Sequence, residues 1–233
     1  AGGSHPKNAA SSKKRAQPTA SATTASPTPA PNYTINQVLH GLISANDVGE
    51  GFKATVIGTQ AYIDKKALIC SLTGASFPNN PQIGERQYAA TINVRYDRNY
   101  AQFIALYPSA QLAEAAYMAL KQDATACPPK QHVAAQKDPT SNATLLEHDD
   151  TWSLGQQDTV LGWTHIGAWE KSVHPPSETK RNVYYDVYDF MVRGNLVLAT
   201  LYAERTVPTD AGTAIKQRAY TVLTKQLQSL DQQ

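Results

Sequence analysis

Three groups of side chains in this 233-residue sequence have the types and spacing to do chemistry. His148-Asp149-Asp150 is the densest set of potential metal ligands or acid–base groups. Neighbouring side chains on a strand point to opposite faces, so only His148 and Asp150 could converge on an ion. The plainer reading of this trio is a solvated strand or loop. In Trp163-Thr-His-Ile-Gly-Ala-Trp169, alternation puts Trp163, His165, Gly167 and Trp169 on one face. Two indoles flanking an imidazole can line a binding site, and they also suit a core or an interface. Further on, Tyr184, Asp186, Tyr188 and Phe190 share one strand face, opposite Val183, Tyr185, Val187, Asp189 and Met191. Alternation alone does not decide which face is inside. Tyrosine, with 12 copies, suits a half-apolar, half-wet cleft or partner surface, and equally an ordinary sheet face. Trp163, His165, Trp169, Tyr184 and Tyr188 are therefore the candidate ligand-binding residues.

Catalytic and cofactor motifs are absent from the sequence. It has no G-x-S-x-G elbow, P-loop, G-x-G-x-x-G turn or H-E-x-x-H pair. Gly49-Glu-Gly-Phe52 contains G-x-G, but it follows a helix and lacks the third glycine, so it reads as turn punctuation. No catalytic residue, metal or cofactor is assigned. Because catalytic triads assemble in space, an extracellular hydrolase using His165 or His148 with nearby aspartates is the alternative.

The elements that must position these groups follow from periodicity. Thr34 is a plausible N-cap for a helix with Ile35, Val38, Leu39, Leu42 and Ile43 on one stripe, ended by Asp47-Val-Gly-Glu-Gly51. Strand-like segments run over 53–63 and 66–73, with Asp64-Lys65-Lys66 as the turn, and 74–86 reads as a loop. Tyr88, Ala90, Ile92, Val94 and Tyr96 alternate as a strand with one buried face. A turn at 97–99 leads to a second strand, 100–107. Pro108 and Ser109 start a helix carrying Leu112, Ala115, Ala116, Ala119 and Leu120. After a polar loop at 128–143, strands are expected over 144–153 and 161–170. Pro175-Pro176 interrupts, and 183–193 with 196–205 form the clearest hairpin, joined at Gly194-Asn195. Asp210 is the expected cap of a last helix with Ile215, Ala219, Val222, Leu223 and Leu230 on one face.

The halves show a weak internal repeat: a hairpin, a strand ending in Ala-Leu-Tyr107 or Thr-Leu-Tyr202, then a helix with Ala116-Tyr-x-x-Leu120 or Ala219-Tyr-x-x-Leu223. The fold class is α+β, an antiparallel sheet with segregated helices packed on it, built from two hairpin-plus-helix units in one layer.

Residues 1–32 contain five prolines among Ala, Ser, Thr and Gly, with no large apolar side chain to offset ordering entropy. They are read as a disordered tether ahead of one domain spanning 33–233. No apolar segment near Ala1 has signal-peptide character, so the chain is either cytoplasmic or a mature exported one. Ala1-Gly-Gly-Ser and the Thr/Ala/Pro spacer resemble the tether after the lipidated cysteine of a bacterial lipoprotein, or the stalk after a membrane anchor. The exported reading is preferred. Lys7, Lys13, Lys14 and Arg15 give the tether four cations and no acid, leaving the remainder at −2 out of a total of +2. A domain of that sign lacks the concentrated basic face used on nucleic acid, while the tether suits an anionic envelope or membrane surface.

Cys70 and Cys127 are the two cysteines, too far apart for a C-x-x-C motif. In an exported chain an even count points to one disulfide, which would stabilise the fold by about 4 kcal/mol through chain entropy. In a cytoplasmic chain the pair would be two independent buried thiols.

In Leu42-Ile-Ser-Ala-Asn-Asp-Val-Gly49 with Gly51-Phe52, Cys70 on an early strand, the Tyr107-Pro-Ser-Ala110 helix ending at Ala126-Cys127-Pro128, and Val192-Arg-Gly-Asn-Leu-Val197, the chain resembles the PknH-like extracellular domain family. These are sensor domains of actinobacterial membrane serine/threonine kinases and related lipoproteins, and the resemblance runs over 38–230. It implies an extracytoplasmic α+β domain with a curved antiparallel sheet, packed helices and a large cleft that senses a small ligand or envelope component. The kinase member has two disulfides, whereas this chain can form one, and no kinase catalytic segment is present. The expected protein is thus a monomeric, non-enzymatic sensor or ligand-binding module, tethered to the cell envelope by a lipid or transmembrane anchor. A partner-binding structural lipoprotein is a further alternative.

Overall fold

The computed structural model describes residues 29–56, 59–90, 98–137 and 144–233. The tether up to residue 28, Ile92, Val94 and Tyr96 of the alternating segment, and the end of the polar loop lie outside the described residues. In chain order the elements are α1 (Ile35–Gly41), α2 (Ala45–Val48), β1 (Lys53–Ala54), α3 (Gln60–Ile63), β2 (Ala67–Ile69), a 3₁₀ turn (Cys70–Leu72), β3 (Thr73–Ala75), β4 (Gln82–Ala90) and β5 (Arg98–Leu106). They continue with α4 (Ala110–Thr125), β6 (Lys130–Val133), β7 (Gln136–Lys137), β8 (Thr144–Leu145), β9 (His148–Leu154), β10 (Asp158–Val160), β11 (Trp163–Val173), β12 (Val183–Arg193), β13 (Leu196–Thr206) and α5 (Thr213–Asp231).

One antiparallel sheet organises the molecule, in the order β1-β4-β5-β13-β12-β11-β9-β6, with β10 also paired to β11. The expected α+β class holds. α4 lies on one face, where Ala113, Ala116, Tyr117 and Leu120 pack with Phe103, Ile166, Tyr188 and Phe190. α5 lies on the other, where Ile215, Val222, Leu223 and Leu227 meet Tyr100, Tyr202, Met191 and Leu198. Both faces of the central strands are therefore inside, which is why β13 is buried along almost its whole length. The order hairpin, strand, helix does occur twice, as β4-β5-α4 and β12-β13-α5, but the two helices go to opposite faces rather than sharing one.

Several element readings change. α1 is capped by Thr34 with a reciprocal Gln37 bond, as its sequence demands. Its buried face, however, is Val38 and Gly41, while Ile35 and Leu39 stay 42% and 47% exposed. Gly41 sets this rotation, since a Cβ there would stand 2.7 Å from Leu230 Cδ2 of α5. Residues 53–63 are not a strand: two residues pair as β1, and α3 forms a single helical turn that packs Tyr62 on Phe103. The presumed loop 74–86 holds the end of β3 and the start of β4, and 128–143 holds β6 and β7. On α4 the buried stripe is Ala113, Ala116, Tyr117, Leu120 and Ala124, because Tyr117 turns inward and leaves Ala115 outside. Gly212, not Asp210, is the N-cap of α5; Asp210 accepts from the Gly212 N–H and the Thr206 hydroxyl instead.

Hairpin β12–β13 turns at Gly194-Asn195, with positive φ at Gly194 alone. Pro31 crosses this tip so closely that any side chain at Gly194 would run into the Pro31 carbonyl. The start of the domain is thereby tied to the end of the sheet far from Tyr184.

Candidate functional site

The five candidate residues fall on two faces of the sheet and do not form one site. Trp163, His165 and Trp169 face α5. Trp163 is fully buried, stacked with Tyr33 at 6.1 Å and packed among Met191, Leu196 and Leu223. His165 is clamped between two carboxylates, Nδ1 at 2.6 Å from Asp158 and Nε2 at 2.6 Å from Asp189. Burial works against its charge, but the hydrogen bonds and charges of Asp189 and Asp158 outweigh it, so its pKa is raised. Trp169 is half-buried, stacked on Tyr185 at 5.6 Å, with the Lys216 ammonium 3.2 Å above its ring.

Tyr184 and Tyr188 face α4. Tyr188 is fully buried and packs edge-on to Trp152 at 5.0 Å. Tyr184 is half-buried, edge-on to His174 at 5.6 Å and beneath the Arg205 guanidinium. Between these two tyrosines the register brings together a polar cluster of residues from four parts of the chain. Glu170 of β11 sits directly across from Asp186 of β12, and Ser172 across from Asp150 of β9. His148 is on the same face as Asp150, so the solvated reading of that trio is corrected: both are buried, with His148 Nε2 3.1 Å from Asp150 Oδ2. Asp149, pointing the opposite way, pairs on the surface with His132 at 2.7 Å.

The 3₁₀ turn Cys70–Leu72 closes over this cluster. Its backbone is unusual, with φ of +55° at both Ser71 and Leu72, a region that costs non-glycine residues energy. Cys70 is bonded to Cys127 at the end of α4, with the Cα atoms 6.1 Å apart, which pins the turn to the helix. Ser71 donates its backbone N–H to Glu170 Oε2 at 2.8 Å and its hydroxyl to Asp150. Ser172 also donates to Asp150, and the Tyr188 hydroxyl donates to Glu170 Oε1 at 2.8 Å. Burial raises the Glu170 pKa to about 7, partly offset by the Ser71 N–H and reinforced by Asp150. Asp186 is pushed well above the usual carboxyl range by burial and then by the Glu170 and Asp150 charges. His174 is shifted the other way, its cation disfavoured by burial and by His148, with which it is in ring contact at 4.9 Å.

Around buried Asp150, Glu170 and Asp186, the half-buried Ser71, His174 and Tyr184 and the exposed Gln131 are the members that solvent reaches. Ser71 touches a carboxylate directly and His148 stands behind it, the reverse of the order in a Ser-His-Asp triad. Among the described residues no group of three or more His, Cys, Asp or Glu is arranged to hold a metal ion. Nor is any described helix long and apolar enough to cross a membrane. Ser71 and Glu170 were not legible as site residues; the paired signals available were the adjacent Cys70 and the strand alternation that sets Glu170 opposite Asp186.

No protein-family profile matches the chain, and no curated protein matches it in sequence. Among solved structures it is similar to the extracellular domain of PknH from Mycobacterium tuberculosis, at 9% identity over 87% of this chain and 99% of that one, with a TM-score of 0.56. A protein from Rhizobium leguminosarum is matched at 11% identity over 65% of this chain and 99% of that one, but its TM-score of 0.21 carries no argument. The likeness is one of fold: this chain has the sheet-and-helix architecture of the PknH extracellular domain.

Proposed function

We propose that the chain is a non-enzymatic ligand-binding or sensor module that works outside the cytoplasm, held at the cell envelope through residues 1–32. The observation that carries this reading is the Ser71 turn, pinned by the Cys70–Cys127 disulfide over buried Asp150, Glu170 and Asp186. A disulfide in that role needs an oxidising compartment to persist. The fold likeness to an extracellular domain supports the same location. A strained turn above buried polar groups is the kind of element a ligand can move, and Ser71, Gln131, His174 and Tyr184, which solvent reaches, offer the donors and acceptors that a saccharide or peptide component of the envelope requires.

The test is calorimetry of the purified chain against a panel of peptidoglycan fragments, envelope glycans and lipids, with Ser71→Ala alongside. Saturable binding of one class, weakened by the alanine, supports the reading; no heat from any member, with the protein folded, overturns it. Turnover of an ester, glycoside or peptide panel that Ser71→Ala abolishes would establish the hydrolase alternative instead. Fractionation of cells expressing the full gene checks the location, and recovery in the cytoplasm with Cys70 and Cys127 reduced would refute it.

A further inference from the structure

We propose that the Ser71–Leu72 turn is a proton-controlled latch, closed while the Glu170–Asp186 pair keeps a shared proton and released when the pair loses it. The geometry requires the proton. Glu170 and Asp186 sit directly opposite each other on neighbouring strands and are both buried, with buried Asp150 on the next strand. Two carboxyl groups set side by side in a dry site cannot both stay ionised, so the pair holds a proton. Glu170 accepts from the Ser71 N–H and the Tyr188 hydroxyl, so Asp186 is the protonated member. Strained Ser71 thus hangs on Glu170, directly beside the proton that the pair shares.

The groups around the pair give it little other charge relief. β9 contributes Asp150, His148 and the apolar Trp152; β11 contributes Ser172; β12 contributes Tyr184 and Tyr188. β13 contributes Arg205, whose guanidinium lies over the Tyr184 ring and donates to the Arg181 carbonyl. His174 stacks beside His148, and Gln131 of β6 reaches the Ser71 hydroxyl. Loss of the shared proton leaves two carboxylates in contact next to Asp150 in a dry site. Opening the turn admits water to all three and relieves the positive φ angles at Ser71 and Leu72. The device is independent of whether a ligand binds, so it stands or falls separately from the sensor reading.

Hydrogen exchange tests it in the intact chain. Because closing takes up one proton, protection of the Ser71 amide, corrected for intrinsic exchange, should fall by up to about tenfold per pH unit as pH rises toward about 7. The Leu198 amide, on β13, reports global opening, which releases the same proton; the latch is read from Ser71 exchange that stays faster than this global limit at every pH. Asp186→Asn keeps a donor to Glu170 without a titrating proton and should flatten the dependence. A flat wild-type profile overturns the latch, as does an unchanged slope in the asparagine variant. The wild-type series alone decides the matter if that variant does not fold, and Glu170→Gln provides a second flattening test.

Discussion

Asn195 and Tyr33 exchange two hydrogen bonds across 162 positions of sequence: the Tyr33 N–H donates to Asn195 Oδ1 at 2.7 Å, and Asn195 Nδ2 donates back to the Tyr33 carbonyl at 3.0 Å. The same amide reaches the Tyr107 carbonyl at 3.0 Å. One side chain at the tip of β12–β13 therefore joins the stretch just before α1 to the exit of β5. Asn195→Ala strands three backbone groups in a buried place, and the expected cost is about 2–4 kcal/mol. Urea unfolding measures it; a loss below about 0.5 kcal/mol would mean that water replaces the amide.

The clamp on His165 ties stability to pH. Its folded pKa is raised, so the stabilisation is complete below the unfolded value of about 6.5 and disappears as pH rises through the folded one. The stability gap between wild type and His165→Gln should therefore narrow from pH 6 toward pH 9, measured by thermal unfolding in series. Asp189, buried, should matter more to the clamp than Asp158, which is largely exposed. A gap independent of pH would mean that the imidazole is neutral throughout.

Removing the disulfide acts on the unfolded chain and on the turn together. With the cysteines 57 positions apart, Cys70→Ser with Cys127→Ser should cost up to about 4 kcal/mol in urea unfolding. Reductant should reproduce the loss in wild type and leave the double variant unaffected. If reductant changes nothing in wild type, the bond does not constrain the fold.

Packing of α1 on α5 has little room. Gly41→Ala places a methyl against Leu230, and overpacking of this kind should cost about 1–3 kcal/mol. Pairing it with Leu230→Val should recover part of the loss in a double-mutant cycle. Additive losses would show that the two residues do not press on each other.

The reading from periodicity was most accurate where the pattern is dense. The hairpin was read as 183–193 and 196–205 joined at Gly194-Asn195, and the structure pairs eleven positions across it, ending one residue later at Thr206. The last helix likewise buries Ile215, Ala219, Val222, Leu223 and Leu230 as its spacing requires. Alternation also placed Trp163, His165 and Trp169 on one face and Tyr184, Asp186 and Tyr188 on one face. α4 was harder, because alanine is apolar enough to suit either side of a helix, and only the bulk of Tyr117 selects the rotation. Over 53–63 no period shows because β1 and α3 are only two and four residues long, whereas the strand expected over 66–73 contains β2 and the first residue of β3 around the 3₁₀ turn.

What the sequence determined by itself is local: where chain direction reverses, which residues share a strand face, and that two cysteines were available to pair. Which face meets which helix is a property of the sheet order, and it separated the five candidate residues into two groups on opposite sides. The polar cluster is a tertiary product as well. Ser71 and Glu170 are 99 residues apart, and their contact exists because a disulfide carries the turn to β11 while the strand register lays Asp186 and Asp150 beside it. Side-chain alternation is written in each segment, but burial and proton sharing depend on what distant segments bring within about 3 Å.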